Sequence, residues 1–237
     1  MGNKPTIWAI IPAAGVGARM QASKPKQYLP LAGRTVLGQS LHQLATHPAI
    51  TGIIVALAEH DSEWETIAPD DNCPVITTIG GSTRADSVLH AVQALAEHAE
   101  DMTQTWALVH DAARPCLRHE DIDKMLSTLL SHPAGGILGL PVSDTMKRVN
   151  AQGEIIATIP RQALWRAATP QLFRAERLQG ALESAIKQGK VVTDEASAME
   201  LAGYQPMMVA GHADNIKITL PQDLALAEYY LRQQGRA

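Results

Sequence analysis

A loop near the beginning of the chain combines small residues with cations, a pairing suited to binding phosphate. The stretch IPAAGVGARM spans residues 11–20, and its Gly15 and Gly17 let a backbone turn tightly and expose N–H groups to an anion. Arg19 and Lys26 flank the loop and could offset the charge that accumulates at a phosphoryl-transfer centre. An ordinary glycine turn with solvated cations is the alternative, and the loop alone does not decide between the two.

The loop departs from two common nucleotide-binding patterns. A dinucleotide site has a third glycine where this chain has Met20, and it has an acidic residue about 20 positions later. No acidic residue occurs between Gly17 and Glu59. The Gly-Lys-Ser/Thr sequence of a P-loop is absent as well. A dinucleotide oxidoreductase is therefore a distant alternative.

The stretch VHDAARP, residues 109–115, places a carboxylate just beyond a predicted buried strand. Open α/β sheets bind ligands at this edge, and a single carboxylate with phosphate oxygens suits Mg²⁺. Asp111 is therefore a candidate metal ligand, although it could instead cap the following turn. Arg114 adds a planar group that can bind an anion.

Two further stretches place polar residues beside apolar runs. In IGGSTRADSV, residues 79–88, the backbone of Gly81 and the hydroxyl of Ser87 could recognise the edge of a base, or they could form an ordinary helix start. In NIKIT, residues 215–219, Lys217 is predicted to lie on a strand. Its ammonium group either extends to water or faces an anion.

The segments between these stretches predict an α/β fold. Short runs rich in Ile, Val and Leu with little alternation are typical of strands buried on both faces of a parallel sheet. The predicted strands are Ile7–Ile11, Gly52–Leu57, Val75–Ile79, Trp106–Val109 and Gly136–Leu140. The predicted helices are Thr35–Thr46, Arg84–His98, His119–Leu130, Arg174–Lys187, Glu195–Leu201 and Pro221–Leu231. This order predicts a mostly parallel sheet with helices on both faces.

The composition argues against several classes of partner. The chain has 237 residues and a net charge of -4, so it has no global basic field for nucleic acid or an anionic membrane. Its two cysteines, Cys73 and Cys116, have no metal or redox spacing and favour a reducing compartment. The longest apolar stretch, residues 7–18, is too short for a membrane span. We therefore expect a cytoplasmic protein with no nucleic-acid or membrane partner.

A change of pattern after Pro141 predicts a hairpin. The segments TMKRV and EIIATI read as strands, and NAQG between them reads as a turn. Because helical patterns resume at Arg174, the hairpin is an insertion. We place it at residues 141–163, as a projecting arm of one domain that spans residues 1–237.

Taken in order along the chain, these motifs resemble the 2-C-methyl-D-erythritol 4-phosphate cytidylyltransferase family of the non-mevalonate isoprenoid route. The motifs are IPAAGVGARM with PKQYL, then GGSTRADSV, VHDAARP, DTMK, TPQLF, TDEAS and DNIKIT. The resemblance runs from about Ile10 to Ala227. It implies a Rossmann-like nucleotidyltransferase domain with a β-hairpin arm. It also implies transfer of a cytidylyl group from CTP to methylerythritol phosphate, with release of pyrophosphate.

The resemblance also implies roles for individual residues. Arg19 and Lys26 would stabilise the transition state, Arg161 and Lys217 would position the acceptor phosphate, and Asp111 would bind Mg²⁺. The implied nucleotide-binding residues are Pro12, Ala13, Ala14, Gly15, Gly17, Gly81, Ser87 and Ala112. The implied acceptor-binding residues are Arg114, Thr145, Thr169 and Thr193.

By the same resemblance, Thr145 and Arg161 come from the arm of a neighbouring subunit, so that a homodimer shares each site. A ribitol-phosphate cytidylyltransferase or another sugar-phosphate nucleotidyltransferase is the nearest alternative. Such an enzyme would share the loop from Ala13 to Lys26 but should differ at Thr145, at Arg161 and in TDEAS. A regulatory nucleotide-binding module without chemistry is a further alternative, which release of pyrophosphate from CTP would exclude.

Overall fold

The computed structural model describes residues 5–15, 24–67 and 73–237. Its strands are β1 Ile7–Pro12, β2 Pro30–Leu31, β3 Arg34–Thr35, β4 Gly52–Leu57, β5 Val75–Ile79, β6 Trp106–Val109, β7 Gly136–Pro141, β8 Met146–Val149, β9 Ile155–Ile159, β10 Trp165–Arg174 and β11 Met207–Ala210. Its helices are α1 Val36–Ala45, α2 Arg84–Leu95, α3 His119–Leu129, α4 Ala175–Lys187, α5 Glu195–Leu201 and α6 Gln222–Gln233. Within these ranges no helix has the length and apolar character needed to cross a membrane.

Seven of the strands form one sheet, in the order β11-β7-β10-β6-β1-β4-β5. Strand β1 lies inside it and runs parallel to both β4 and β6, so that Ile10 is opposite Ile54 on one side and Val109 on the other. Strand β10 is antiparallel to its neighbours β6 and β7. The sheet is therefore mostly parallel, and the predicted α/β fold is confirmed.

The alternation of side chains along β1 explains why helices cover both faces of the sheet. Ile7 and Ile11 belong to a core that includes residues of α1 and α3, whereas Trp8 and Ile10 belong to a core that includes residues of α2 and α4. Successive residues of a strand point to opposite faces, so each face of this sheet carries buried apolar side chains. Each face therefore needs its own layer of helices.

The five predicted strands and six predicted helices are all present, and their ends differ from the predicted ones by at most three residues. The largest difference is at α2, which ends at Leu95 rather than His98. Two side-chain caps start helices close to the site: Thr83 caps α2 in a reciprocal arrangement with Asp86, and Asp194 caps α5 in the same way with Ser197. Such caps satisfy backbone N–H groups that would otherwise lack partners.

Strand β10 was not predicted. It contains Pro170, and its pairing with β7 shifts register between Ala167 and Gln171. A proline inside an apolar run argues against a strand, because it cannot donate a hydrogen bond to a neighbouring strand. The shift in register accommodates Pro170. A pattern of buried and exposed positions in the sequence does not reveal such a shift.

The predicted strand at residues 215–219 is wrong. This segment has no strand assignment, and its backbone is held by a loop rather than by a sheet neighbour. The N–H of Ile218 donates to the carbonyl of Ala113, at 2.8 Å. Alternating β-branched residues favour a strand, but a strand forms only where a partner strand is available to pair with it.

Strands β8 and β9 pair with each other as a separate two-stranded antiparallel sheet, with Met146 opposite Ile159. The hairpin lies within the insertion expected from the sequence. Its apolar side chains face solvent in the single chain, and Ile155 and Ile156 are 65% and 62% exposed. Isolated hairpins have little stability of their own in water, and exposed apolar side chains of this kind are typical of contact surfaces.

Candidate active site

A cavity of about 290 Å³, here called the first cavity, opens at the carboxyl ends of β1 and β6 and at the turn after β5. Ligands of parallel α/β sheets bind at this edge because loops from several strands converge there. The structure brings ten of the sequence-predicted residues together around it: Pro12, Ala13, Ala14, Gly15, Lys26, Gly81, Ser87, Asp111, Ala112 and Lys217. Gly17 and Arg19 lie outside the described residues.

A second cavity, also of about 290 Å³, adjoins the first. Three predicted acceptor-binding residues line it, namely Arg114, Thr169 and Thr193. The residues that line both cavities are Arg84, Asp111 and Lys217. The molecule therefore has two adjoining cavities with a charged wall in common.

Asp111 is the centre of that wall. Its Oδ1 lies 3.2 Å from Nη2 of Arg84, and its Oδ2 lies 3.3 Å from Nε of Arg114 and 2.9 Å from Nζ of Lys217. Burial on its own would raise the pKa of Asp111, but the charges of Arg84, Lys217 and Arg114 outweigh it and hold the pKa well below the usual range. Asp111 is therefore an ionised carboxylate shared among three cations.

Arg84, the first residue of α2, is held by a second carboxylate. Its Nη1 and Nη2 contact Oε1 and Oε2 of Glu195 in a two-pronged pair, and the Nη2–Oε2 distance is 3.1 Å. Burial lowers the pKa of Arg84, but Glu195 and Asp111 outweigh it and raise the pKa above its ordinary value. Arg84 is thus a permanent cation placed between two carboxylates.

Lys26 and Lys217 come from opposite ends of the sequence and meet at the first cavity. The ammonium group of Lys26 donates to the carbonyl of Ile218 at 2.8 Å, across 192 positions of sequence. The segment around Lys217 is fixed in turn by Asn215, whose Nδ2 donates to the carbonyl of Thr169 at 2.8 Å. Arg114 donates to the carbonyl of Asn215 at 2.8 Å. Side-chain bonds to backbone carbonyls therefore take the place of sheet pairing in this segment.

His110 and Thr169 hold the backbone of Asp111 in place. The N–H of Asp111 donates to the Thr169 hydroxyl at 3.0 Å, which lies 3.0 Å from Nδ1 of His110. Nε2 of His110 lies 3.0 Å from the carbonyl of Arg114 and donates its hydrogen to that oxygen. Because a neutral imidazole has only one N–H, Nδ1 of His110 accepts, and the Thr169 hydroxyl donates to it. Burial lowers the pKa of His110 to about 4, which keeps the ring neutral. The Thr169 hydroxyl therefore donates its one hydrogen to His110 while it accepts from the Asp111 N–H, so this side chain supports the backbone of Asp111.

The glycine-rich loops contact each other closely. Nε2 of Gln27 donates to the carbonyls of Ala13 and Gly15, at 2.8 and 3.0 Å, and so holds the start of the first loop. A Cβ added to Gly80 would lie 2.6 Å from Cβ of Ala14, so only glycine allows the two loops to approach in this way. The absence of a side chain at residue 80 therefore shapes the first cavity.

Ser87 closes the turn between β5 and α2. Its hydroxyl donates to the carbonyl of Thr83 at 2.9 Å and accepts from the N–H of Gly81 at 3.1 Å. The structure therefore gives the Ser87 hydroxyl a local role at the start of the helix, while the residue still lines the first cavity.

Two predicted residues are not brought to the cavities within the single chain. Thr145 and Arg161 flank the hairpin and line neither cavity, and Nη1 of Arg161 donates to the carbonyl of Ser143. Two charged residues of the cluster were not predicted: Arg84 and Glu195. Both stand inside quoted motifs, GGSTRADSV and TDEAS, but nothing in those motifs indicated that the two side chains would pair.

The donor groups at this edge fit a divalent cation only together with a phosphate. Among the described residues, no group of three or more His, Cys, Asp or Glu side chains could hold a metal ion. Mg²⁺ is commonly bound by one or two carboxylates, with water and substrate phosphates as its other ligands. Asp111 is one ionised carboxylate lining both cavities, so the residues present fit Mg²⁺ in that form of binding.

Comparison with known proteins gives a single result. The model of the 2-C-methyl-D-erythritol 4-phosphate cytidylyltransferase family matches residues 7–233. The chain is 50% identical over 228 residues to the protein of that name from Vibrio atlanticus, covering 96% of each chain. It is 52% identical over 229 residues to the one from Shewanella amazonensis, covering 97% of this chain and 94% of the relative.

Solved structures agree with this result. A crystal structure of 4-diphosphocytidyl-2C-methyl-D-erythritol synthase superimposes with a TM-score of 0.83 at 36% identity, covering 96% of this chain and 99% of the other. The 2-C-methyl-D-erythritol 4-phosphate cytidylyltransferase of Francisella tularensis gives a TM-score of 0.82 at 34% identity, covering 95% and 100%. Fold, motifs and full-length similarity agree, and the chain belongs to the 2-C-methyl-D-erythritol 4-phosphate cytidylyltransferase family.

Proposed function

We propose that the first cavity is the donor half and the second cavity the acceptor half of one active site. There the chain transfers the cytidylyl group of CTP to 2-C-methyl-D-erythritol 4-phosphate, producing the cytidine-diphosphate alcohol and pyrophosphate. The observation that carries this assignment is the common wall of Arg84, Asp111 and Lys217. A reaction between two phosphate groups needs one set of charged side chains that faces both of them.

In the proposed reaction an oxygen of the acceptor phosphate forms a bond to the α-phosphorus of CTP. The bond from that phosphorus to the pyrophosphate oxygen breaks in line with it. The acceptor needs no general base, because the second pKa of a phosphate monoester is near 6 and the group is ionised at neutral pH. The neutral, fully buried His110 agrees with this, because it has no proton-transfer role to perform.

The main obstacle is repulsion between two polyanions, which fixed cations can offset while they hold the reacting atoms in line. Lys26 faces the donor cavity, and Lys217 faces both. We propose that Arg19 acts together with these two lysines, a proposal that rests on the sequence motif alone. Preorganised cations of this kind stabilise the charge that develops in the transition state more than they stabilise the separate substrates.

Asp111 is the residue proposed to hold Mg²⁺. When bound, the cation would neutralise charge on the phosphate oxygens of the nucleotide. The chain's own contribution is to keep Asp111 ionised and its backbone fixed, through its three cationic neighbours and the Thr169 hydroxyl.

We also propose a homodimer in which the arm, residues 141–163, supplies Thr145 and Arg161 to the acceptor cavity of the partner. The exposed Ile155 and Ile156 support this proposal, because contact with a second chain would bury them. A symmetric contact places the same surface on both chains, so each arm would serve the other's site. A cytoplasmic location is likewise a proposal, supported by the free buried thiols of Cys73 and Cys116.

Mixing two inactive variants tests the sharing of sites. Arg161→Ala and Lys217→Ala chains, each inactive alone, should regain about a quarter of wild-type activity when exchanged, because half of the dimers are mixed and one site in each is intact. A mixture that remained as inactive as its components would exclude the shared site. Ile155→Asp should release monomers in sedimentation velocity, whereas Gln152→Glu in the hairpin turn should not.

The reaction itself is tested by a pyrophosphate-release assay that pairs each of the four nucleoside triphosphates with methylerythritol phosphate and with ribitol phosphate. CTP with methylerythritol phosphate should exceed every other pair. Faster turnover with ribitol phosphate would assign the site to a different sugar-phosphate acceptor. Binding of CTP without pyrophosphate release from any pair would contradict the proposed chemistry.

A further inference from the structure

Glu195 is a buried charged residue that the proposed chemistry does not use. It is the first residue of α5 and is 1% exposed, and it lines neither cavity. It therefore has no access to a bound nucleotide or acceptor. Burial of a carboxylate is costly unless it is paired, and its pairing with Arg84 satisfies both of its oxygens.

Arg84 has more contacts than a purely structural pair would need. Besides its two bonds to Glu195, its Nε donates to Oδ1 of Asp111 at 3.2 Å, and its side chain lines both cavities. The guanidinium group is thus anchored on its buried side and presents another edge at the junction of the two cavities. Arginine suits this arrangement because its donors form a rigid, planar fork.

The carboxylates of Asp111 and Glu195 differ in whether an entering ligand can reach them and replace their contacts. Asp111 is bordered by both cavities, so a phosphate or a metal ion that enters can take over its contacts. Glu195 is enclosed and cannot be reached in this way. A guanidinium paired with Asp111 alone would lose its only fixed partner when substrate enters, whereas one paired with Glu195 stays in place.

We infer that Glu195 is a positioning residue that keeps Arg84 at the junction of the cavities. Arg84 can then exchange its contact with Asp111 for one with a phosphate oxygen without leaving the site. This inference rests on the proposed function. It adds Arg84 to the phosphate-binding cations and gives the buried glutamate of TDEAS a role through it.

The test is a set of variants assayed for pyrophosphate release as a function of each substrate concentration. Glu195→Gln keeps the shape of the side chain but removes its charge. We expect kcat/KM to fall about tenfold or more, because small displacements of a positioning group have effects of that size. Glu195→Asp keeps the charge and should restore part of the loss. Glu200→Gln, an exposed position on the same helix, is the matched control and should behave as wild type.

A double-mutant cycle separates positioning from general support of the fold. If Glu195 acts through Arg84, adding Glu195→Gln to Arg84→Gln should cause no further loss of kcat/KM. The double variant removes the buried charge of Glu195 together with its partner cation, so its comparison with Arg84→Gln remains possible if Glu195→Gln alone unfolds. Thermal unfolding of every variant identifies losses caused by misfolding.

Two results would overturn the inference while leaving the proposed function intact. One is wild-type kcat/KM in Glu195→Gln. The other is a loss from Glu195→Gln that is as large in the Arg84→Gln background as in the wild type. Failure of the wild-type protein and of Glu200→Gln to release pyrophosphate from CTP would instead contradict the proposed function, and the inference with it.

Discussion

Cavities lie at both edges of the sheet, and the one at the amino edge is larger than either cavity of the candidate active site. At the amino ends of β1, β4 and β6 lies a cavity of about 730 Å³, lined by Trp8, His98, Trp106 and Arg174 among others. The first cavity, at the carboxyl edge, measures about 290 Å³. Volume alone therefore does not single out the cavity at which the predicted site residues meet.

The charges at the two edges are arranged differently. At the amino edge two of the charged side chains are used locally: Arg174 lies 4.3 Å above the Trp106 ring, and Asp101 accepts bonds from the backbone and hydroxyl of Thr103. At the carboxyl edge Arg84, Arg114 and Lys217, from separate parts of the chain, surround the one carboxylate of Asp111. Charge brought together from distant segments distinguishes the carboxyl edge from the amino edge, and matched substitutions at both edges can test whether it marks the active site.

The largest effect is expected from Lys26→Ala. Removing a cation that lines the first cavity should lower kcat by about 10²–10³-fold with the fold intact, as for other preorganised electrostatic groups. Lys124→Ala is the matched control, because that exposed lysine also donates to a backbone carbonyl, that of Ala210 at 2.6 Å. For both variants, steady-state rates measure kcat and circular dichroism shows whether the fold is intact. Wild-type turnover in Lys26→Ala would remove this residue from the mechanism.

Asp111→Asn should have the next largest effect. The amide keeps the size of the side chain but leaves Arg84, Arg114 and Lys217 without their shared counter-ion. We expect a fall in kcat/KM of about 10²-fold, in the range found for electrostatic groups at active sites. We also expect a loss of about 1–3 kcal/mol in the free energy of unfolding, less than for a fully buried pair because Arg84 and Lys217 are partly exposed.

Metal dependence gives a second readout for the same residue. Chelation by EDTA should abolish pyrophosphate release by the wild type, and added Mg²⁺ should restore it. In Asp111→Asn the concentration of Mg²⁺ needed for half-maximal rate should rise. An unchanged Mg²⁺ requirement in this variant would mean that another group holds the cation.

A smaller effect on activity is expected from Thr169→Val, which removes the hydroxyl between the Asp111 N–H and His110. Loss of buried hydrogen bonds should cost about 1–3 kcal/mol of unfolding free energy, and kcat/KM should fall because the Asp111 backbone loses its support. Thr105→Val is the control at the amino edge, where a buried threonine donates to the carbonyl of Asp101 at 2.8 Å. It should lower stability but leave kcat/KM unchanged. Equal losses of activity in both variants would show that Thr169 has no special connection with the site.

The smallest effect is expected from Arg174→Ala at the amino edge. Loss of the cation over Trp106 should reduce the free energy of unfolding by about 0.5–1 kcal/mol. The KM values and kcat should match those of the wild type, measured in the same pyrophosphate assay. A marked fall in kcat would mean that the amino-edge cavity takes part in function.

The carboxyl-edge site was largely predictable because its main residues directly follow buried strands. Ala13 and Asp111 come immediately or almost immediately after β1 and β6, and parallel strands of one sheet bring such positions to one edge. The meeting of Lys26 with the segment of Lys217 was expected only from the resemblance to the family. No local pattern predicts a hydrogen bond between residues so far apart in the sequence.

The parts that the sequence did not predict depend on tertiary partners. Residues 215–219 do not form a strand, because the Ile218 N–H donates to the Ala113 carbonyl in a loop rather than to a neighbouring strand. Strand β10 includes Pro170 and shifts its register, which an apolar pattern does not anticipate. The Arg84–Glu195 pair joins the starts of two helices, and only the packing of α2 against its neighbours brings those starts together.

A crystal structure of the protein with CTP and Mg²⁺ would show where the nucleotide binds. We expect the triphosphate to occupy the first cavity, with Nζ of Lys26 and of Lys217 each within about 4 Å of a phosphate oxygen, the usual limit of an ion pair. Nucleotide bound in the amino-edge cavity between Trp8 and Arg174, with both lysines away from its phosphates, would contradict this expectation.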